Sequence, residues 1–242
     1  MITSDRADFH GGGGDMNAVR PAWPERTLLG MLTDRDAADL GRLGRPRSFG
    51  PGERLVTEGE IGLETYVLLS GVVKILSHTA DGRRVLLTIR VAGDLVGELA
   101  VLDDQPRVAT VDAAGPVTTR VVDGPTFLRF LDERPAVARA VNRAVSNKLR
   151  MATRHRIDSS GAPVGARVVR VLGYLADVYG ETPAGHRPVD VPLTQHELGA
   201  LVGASLPSLQ RELRRLRDSG LVRTGHGRIV VLRPAELRTL AP

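Results

Sequence analysis

The alternation of apolar and polar positions changes texture three times along the chain. Residues 1–20 carry little apolar sequence, and residues 11–14 are an unbroken glycine run. Such a stretch cannot offset its ordering entropy by burial, so a disordered tail is expected. Leu28, Leu29, Leu32 and Leu40 then predict a short helix over residues 27–41. Between residues 47 and 122 short β-branched runs alternate with glycine turns. Residues 54–58, 64–69, 71–76 and 84–90 read as strands. Turns are expected at Pro51-Gly52, Glu58-Gly59-Glu60, Ser70-Gly71, Asp81-Gly82, Gly93-Asp94 and Gly115-Pro116. Asp-Gly between two strands is a two-residue hairpin signal, and the spacing as a whole predicts an antiparallel barrel or sandwich.

After Pro125 the period becomes helical. Residues 127–134 predict a short amphipathic helix, and residues 135–157 a longer one without internal Gly or Pro. Val137, Val141, Ala144, Val145, Leu149 and Ala152 fall at three- and four-residue spacing on one face, with Arg139, Arg143, Lys148, Arg150, Arg154 and Arg156 crowding the rest. A narrow stripe of small side chains suits close packing on another helix, and a symmetry mate is the expected partner. Residues 158–163 (Asp-Ser-Ser-Gly-Ala-Pro) have the composition of a hinge. Beyond them one helix is marked by Val168, Val169, Leu172 and Leu175, a second covers residues 193–202 and a third residues 205–219. A β-hairpin follows over residues 221–232, and a short helix over residues 234–240.

The second and third of these helices have the pattern of a helix-turn-helix. Thr194 can cap the first, with Glu197 as its capping-box partner. Leu198 and Leu201 face inward, and Gly199 and Ala200 are small where the helices cross. Gly203 supplies a left-handed turn. Ser205 is positioned to cap the second helix, and Pro207 is tolerated in its first turn. Leu209, Leu213 and Leu216 bury that helix and leave Ser208, Gln210, Arg211, Arg214 and Arg215 outside. Arg211, Arg214, Arg215, Arg217, Arg223, Arg228 and Arg233 face only Glu212 and Asp218 in this stretch. The hairpin, with Gly225-His226-Gly227-Arg228 at its tip, has the form of a wing. A helix N-terminus flanked by arginines contacts base edges and phosphates.

Composition narrows the alternatives. The 242 residues carry a formal net charge of +5, which suits an acidic partner such as DNA, but all of the 33 basic residues except Lys74 and Lys148 are arginine, a bias that genome composition alone can produce. Cysteine is absent, which excludes disulfide scaffolds, cysteine-ligated zinc or iron–sulfur centres and cysteine nucleophiles. The six histidines show no paired metal spacing, and His78 is a lone histidine near a hairpin end, so neither a metal nor haem is expected. No nucleophile–base signature is visible, and the chain is read as a non-enzyme. Neither a signal-peptide pattern nor a membrane-length apolar run appears, so a cytoplasmic protein without membrane contact is expected.

Taken in order, Val56-Thr57-Glu58-Gly59-Glu60, Ser70-Gly71, Asp81-Gly82, the run from Gly93-Asp94 to Gly97-Glu98-Leu99-Ala100, Pro106-Arg107 and the motif from Leu193 to Gly203 resemble the cAMP receptor protein/FNR (Crp/Fnr) family of bacterial transcription regulators. The resemblance spans residues 45–232. It implies an α+β chain: a disordered tail (1–20), a cyclic-nucleotide-binding-like β-roll (21–134), a long dimerisation helix (135–158), a hinge (159–165) and a C-terminal winged helix-turn-helix (166–242). It also implies a homodimer on palindromic promoter sites in double-stranded DNA, acting on RNA polymerase.

The resemblance places a nucleotide pocket at Gly97, Glu98, Leu99, Arg107, Val108, Ala152 and Thr153. Glu98 would accept a ribose 2′-hydroxyl and Arg107 would fork onto a cyclic phosphate. Val108 and Ala152 stand where the family's cAMP-binding protein presents hydroxyls. At about 1 kcal/mol per lost hydrogen bond, and more where a buried partner is orphaned, cAMP would be weakened about tenfold to several hundredfold. Two outcomes fit: a pocket that binds cAMP weakly or prefers another nucleotide, or a vestigial pocket with the dimer already in its DNA-binding form; in either, cAMP is not a tight obligatory switch. The family's early Arg-Glu pair in the recognition helix is replaced by Leu206 and Pro207. Arg211 is then the expected base reader, with Gln210 and Leu206 as base contacts and Ser205, Ser208, Arg214 and Arg228 on phosphates. The rival reading is a nucleotide-sensing adaptor whose helical domain binds protein; the clustered arginines argue against it.

Overall fold

The computed structural model of the chain describes residues 23–79, 81–82, 84–180 and 189–240, with only the backbone described at 155, 158–160 and 178–180. The expected tail, residues 1–20, lies outside the described residues.

Between residues 27 and 41 the chain forms a 3-10 turn (Leu29–Met31) and then α1 (Asp34–Leu40). They are separate because Leu32 turns extended and Thr33 starts a fresh helix, its hydroxyl accepting the Asp36 N–H. The strands β1 (Arg45–Phe49), β2 (Arg54–Val56), β3 (Glu64–Ser70), β4 (Val72–His78), β5 (Arg84–Val91) and β6 (Leu95–Val96) precede a short helix, α2 (Glu98–Leu102). Then come β7 (Thr110–Ala113) and β8 (Val117–Asp123). They form two antiparallel four-stranded sheets, ordered β1-β8-β3-β6 and β2-β7-β4-β5. Phe49, Leu55, Tyr66, Leu68, Val73, Val111 and Val121 fill the space between the sheets. This is the expected β-roll. The last β4–β5 pair is His78 with Arg84, so Asp81 and Gly82 lie in a five-residue connection, residues 79–83, rather than a two-residue hairpin.

α3 (Gly124–Glu133) and the 27-residue α4 (Pro135–Gly161) pack on the outside of the first sheet. Val137, Ala140 and Val141 are 0%, 7% and 1% exposed within a cluster that includes Val67, Val122, Phe127 and Leu131. The single apolar stripe read from the sequence is therefore two. Val137, Val141 and the partly buried Ala144 belong to the chain's own core. Val145 is half-buried, and Leu149, 68% exposed, lies about 80–120° around the helix from Val141 and Val137.

α5 (Val164–Gly180) follows at once. The break is only Ala162 and Pro163, much shorter than the hinge expected over residues 159–165. Residues 158–161 continue α4, whereas Pro163 lacks an N–H and disfavours helix in the residue before it. The C-terminal unit adds β9 (Val189–Val191), α6 (Gln195–Val202), α7 (Leu206–Asp218), β10 (Val222–Gly225), β11 (Arg228–Val231) and α8 (Pro234–Thr239). Its sheet has the order β10-β11-β9, so the wing hairpin carries a third strand. Its core, built on Leu172, Leu193, Leu198, Leu209, Leu213 and Ile229, is continuous with Leu76, Leu86 and Ile89 of the β-roll.

Candidate nucleic-acid interface and sensor pocket

The turn into α7 is set by Gly203, whose φ of +60° is left-handed, the region glycine enters without penalty. At the other end of α6 both halves of the capping box form. The Thr194 hydroxyl accepts the Glu197 N–H at 3.1 Å, and Glu197 Oε2 accepts the Thr194 N–H at 2.8 Å. The second carboxylate oxygen, Oε1, accepts from Lys74 Nζ of β4 at 2.6 Å. Burial opposes ionisation of Glu197, but the hydrogen bonds from Lys74 and the Thr194 backbone outweigh it and hold its carboxyl below the usual range.

α7 buries Leu209, Leu213 and Leu216 and turns Gln210, Arg211, Arg214, Arg215 and Arg217 outward. Arg211 and Arg214 have no hydrogen-bond or ion-pair partner among the described residues. Arg215 reaches Glu212 at 3.6 Å, and Arg217 donates to Thr224 of the wing at 3.0 Å. Gln210 donates to Gln195 of α6 at 3.3 Å. Leu206 and Ser208 are half-buried. Ser205 holds the N-cap position, but its hydroxyl donates to the Ser208 hydroxyl at 3.0 Å instead of accepting a backbone N–H. The wing's Arg228 pairs with Asp190 at 3.0 Å, both partners being largely exposed.

In the β-roll, Gly97 (φ +79°) turns the chain from β6 into α2. A Cβ there would sit 2.7 Å from Arg107 Nη1, and one on Gly62 would sit 1.7 Å from Arg107 Nε. The two glycines therefore make room for a guanidinium that is 7% exposed. Arg107 donates from Nη2 to the Glu64 carbonyl at 2.6 Å and from Nη1 to the Gly97 carbonyl. No carboxylate pairs with it among the described residues, and burial lowers its pKa from the ordinary value. A buried cation held only by carbonyl dipoles is suited to an anion. Glu98, 3% exposed, is already engaged: Oε1 accepts from Lys148 Nζ at 2.8 Å, and the same ammonium donates to the Leu95 carbonyl at 2.7 Å.

The fold thus gathers Gly97, Glu98 and Arg107, with Leu99 partly buried beside them. Val108 is 61% exposed at the surface, and Ala152 and Thr153 are exposed on α4. Lys148, grouped in the sequence with the basic residues outside the apolar stripe of α4, is the residue that reaches Glu98. It lies seven and four residues beyond Val141 and Ala144, on the helix face that packs on the β-roll, and it is one of two lysines in an arginine-rich chain. Those two signals point to it. His78 is accounted for locally, with its ring Nδ1 3.2 Å from Glu58.

Residues 46–134 match the family model of the cyclic nucleotide-binding domain, and residues 166–240 match that of the Crp-like helix-turn-helix domain. A curated relative, the CRP-like cAMP-activated global transcriptional regulator of Mycobacterium tuberculosis, is 31% identical over 82% of this chain and 88% of its own length. The nitrogen fixation regulation protein FixK of Bradyrhizobium diazoefficiens is 28% identical over 87% of this chain and 89% of its own. The solved structure of FixK2 from Bradyrhizobium japonicum superposes with a TM-score of 0.69 at 21% identity, covering 83% of this chain and 98% of that one. No helix among the described residues is long and apolar enough to cross a membrane. With a roll whose glycines cradle a buried arginine, a helix-turn-helix closed by a capping box, and both family models matched in order, the chain belongs to the Crp/Fnr family of transcription regulators.

Proposed function

We propose that this regulator acts in the cytoplasm as a homodimer that reads a palindromic promoter site, inserting α7 into the major groove of each half-site and bringing RNA polymerase under its control. The observation that carries this reading is the outer face of α7, where Arg211 and Arg214 stand exposed beside Gln210 and without a partner among the described residues. Arginine presented from a groove-lying helix is suited to the O6 and N7 of guanine. On this reading Ser205, Ser208, Arg214 and the wing's Arg228 contact phosphates, Arg228 by exchanging its pair with Asp190, and Leu206 meets a thymine methyl group. The two-fold axis sets half-sites about one helical turn apart. The seam is formed by the free face of α4 around Val145, Leu149 and Ala152, with Val137, Val141 and Ala144 supporting it from beneath.

The pocket reading follows from charge. The Mycobacterium relative is cAMP-activated. Here Arg107 offers a phosphate its guanidinium, and Glu98, whose Oε1 accepts from Lys148, keeps Oε2 for a ribose hydroxyl. That internal bridge already joins the β-roll to α4, as a ligand spanning the two would. A ligand shifts an equilibrium only by its differential affinity for the two states. A bridge supplied by the chain's own Lys148 and Glu98 reduces that difference, so cAMP is at most a weak modulator. In-vitro selection of DNA sites from a random pool, run with and without cAMP, tests both parts. A two-fold symmetric motif that is recovered equally in both arms is the expected result. An asymmetric motif or none would overturn the DNA reading, and a motif appearing only with cAMP would overturn the pocket reading.

A further inference from the structure

A second cavity, remote from the β-roll pocket, lies where the end of α4, one face of α5, the segment around Arg26 and α8 converge. Its volume is about 280 Å³, at the lower edge of the range of small-molecule sites. Arg26, Arg154, Arg167, Arg238 and Arg170, the last already engaged, line it, and Asp177 is the one carboxylate among its described lining residues. Asp177 is already shared, with Arg238 at 2.7 Å and Arg26 at 3.5 Å. Arg167 spends one amine on the Gly203 carbonyl at 3.0 Å, while its Nε is buried without a partner. Arg154 is exposed and has no partner among the described residues. The rest of the wall is apolar and partly aromatic: Tyr174 presents a half-buried ring, and a Cβ placed on Gly173 would meet nothing within 4 Å.

Converging arginines that outnumber their carboxylates, one with a buried orphaned N–H, form a receptor for a compact polyanion, and a ring beside them accepts a flat partner. We propose that this cavity binds a small phosphorylated ring compound the size of a nucleoside monophosphate, its phosphate among the arginines and its ring against Tyr174. The walls come from both sides of the Ala162–Pro163 break, so the occupant bridges α4 to the DNA-reading unit. A phosphate could also be supplied by the DNA backbone, but a concave cavity walled by Tyr174 and Met151 favours a free small molecule.

Calorimetric titration of the full chain with AMP as the probe tests the assignment, with inorganic phosphate and adenosine as controls. The expected result is AMP binding at least tenfold tighter than either control. Gly173→Leu, which projects into open space, and Arg154→Ala, at an exposed position, should each weaken AMP at least tenfold with unchanged melting temperature. Arg107→Ala, in the β-roll pocket, should leave it unchanged. Absence of AMP binding at millimolar concentration, or binding indifferent to both cavity variants, overturns the proposal. Loss on Arg107→Ala does so as well, because it assigns the AMP to the β-roll. The DNA arm is read without any small anion: a tenfold loss of operator affinity in both cavity variants would assign the phosphate to the DNA backbone and overturn the small-molecule reading.

Discussion

A buried carboxylate stripped of its cation costs about 3–5 kcal/mol when the pair is fully enclosed. Lys148 keeps 23% of its side chain exposed while Glu98 keeps 4%, so Lys148→Met should cost about 2–3 kcal/mol in a denaturant titration. Adding Glu98→Gln should return most of that loss; if the double variant is no more stable than the single one, the pair is not the source. At α7, Arg211→Ala is expected to remove about 1–3 kcal/mol of discrimination at one base pair, equally in both half-sites. A selected motif unchanged by the substitution would take Arg211 out of the groove. At this scale the sequence was legible wherever backbone geometry demanded a residue type. Gly97 and Gly203 both carry the positive φ that makes them readable, and Thr194 and Glu197 form the capping box that their spacing announces. Partners were not legible. Nothing local to Glu98 reveals that its cation sits fifty positions further along the chain, because ion pairing across elements is a product of packing.

Among the elements, the long helix α4 departs most from what its apolar pattern predicts. A stripe at three- and four-residue spacing predicts burial of a face without saying against what, and α4 divides its stripe between its own β-roll and open surface. The division separates two substitutions. Leu149→Glu, on the exposed side, should turn a dimer into a folded monomer in sedimentation at micromolar concentration, with its melting temperature nearly kept. Val141→Glu, at 1% exposure, buries a charge in the chain's own core and should destabilise the fold itself. A dimer that survives Leu149→Glu would place the seam elsewhere. β1, β6, β7, β8 and β9, with five, two, four, seven and three residues, are not announced by the sequence pattern. Such strands are specified by their neighbours in a sheet more than by their own pattern. The clamp between β4 and α6 carries a pH signature. Glu197 is held below its ordinary value of 4.5, so its contribution is complete above that pH and disappears as pH falls through the lower, folded-state value. Lys74→Met should flatten this acid limb of the stability profile. An unchanged limb would show that Lys74 does not set it.

Across the whole molecule, the order of roll, long helix and winged helix-turn-helix was readable because each has its own period. The contact between the first and last was not, since it joins residues more than a hundred positions apart. Leu76, Leu86 and Ile89 belong to one hydrophobic cluster with Leu172, Leu198 and Leu213, so the roll supplies part of the DNA-reading unit's core. Calorimetric melting should accordingly show one cooperative transition, and Ile89→Asp should split it in two; a wild-type chain that melts in two steps would contradict the shared core. The same junction has a thermal consequence. Parting α6 from β5 wets apolar surface, so the parted form has the higher heat capacity and the adhesion weakens on cooling. The contact between α6 and β5 is accordingly expected to be weaker in the cold than at moderate temperature, because its strength depends on how strongly water excludes a few aliphatic side chains.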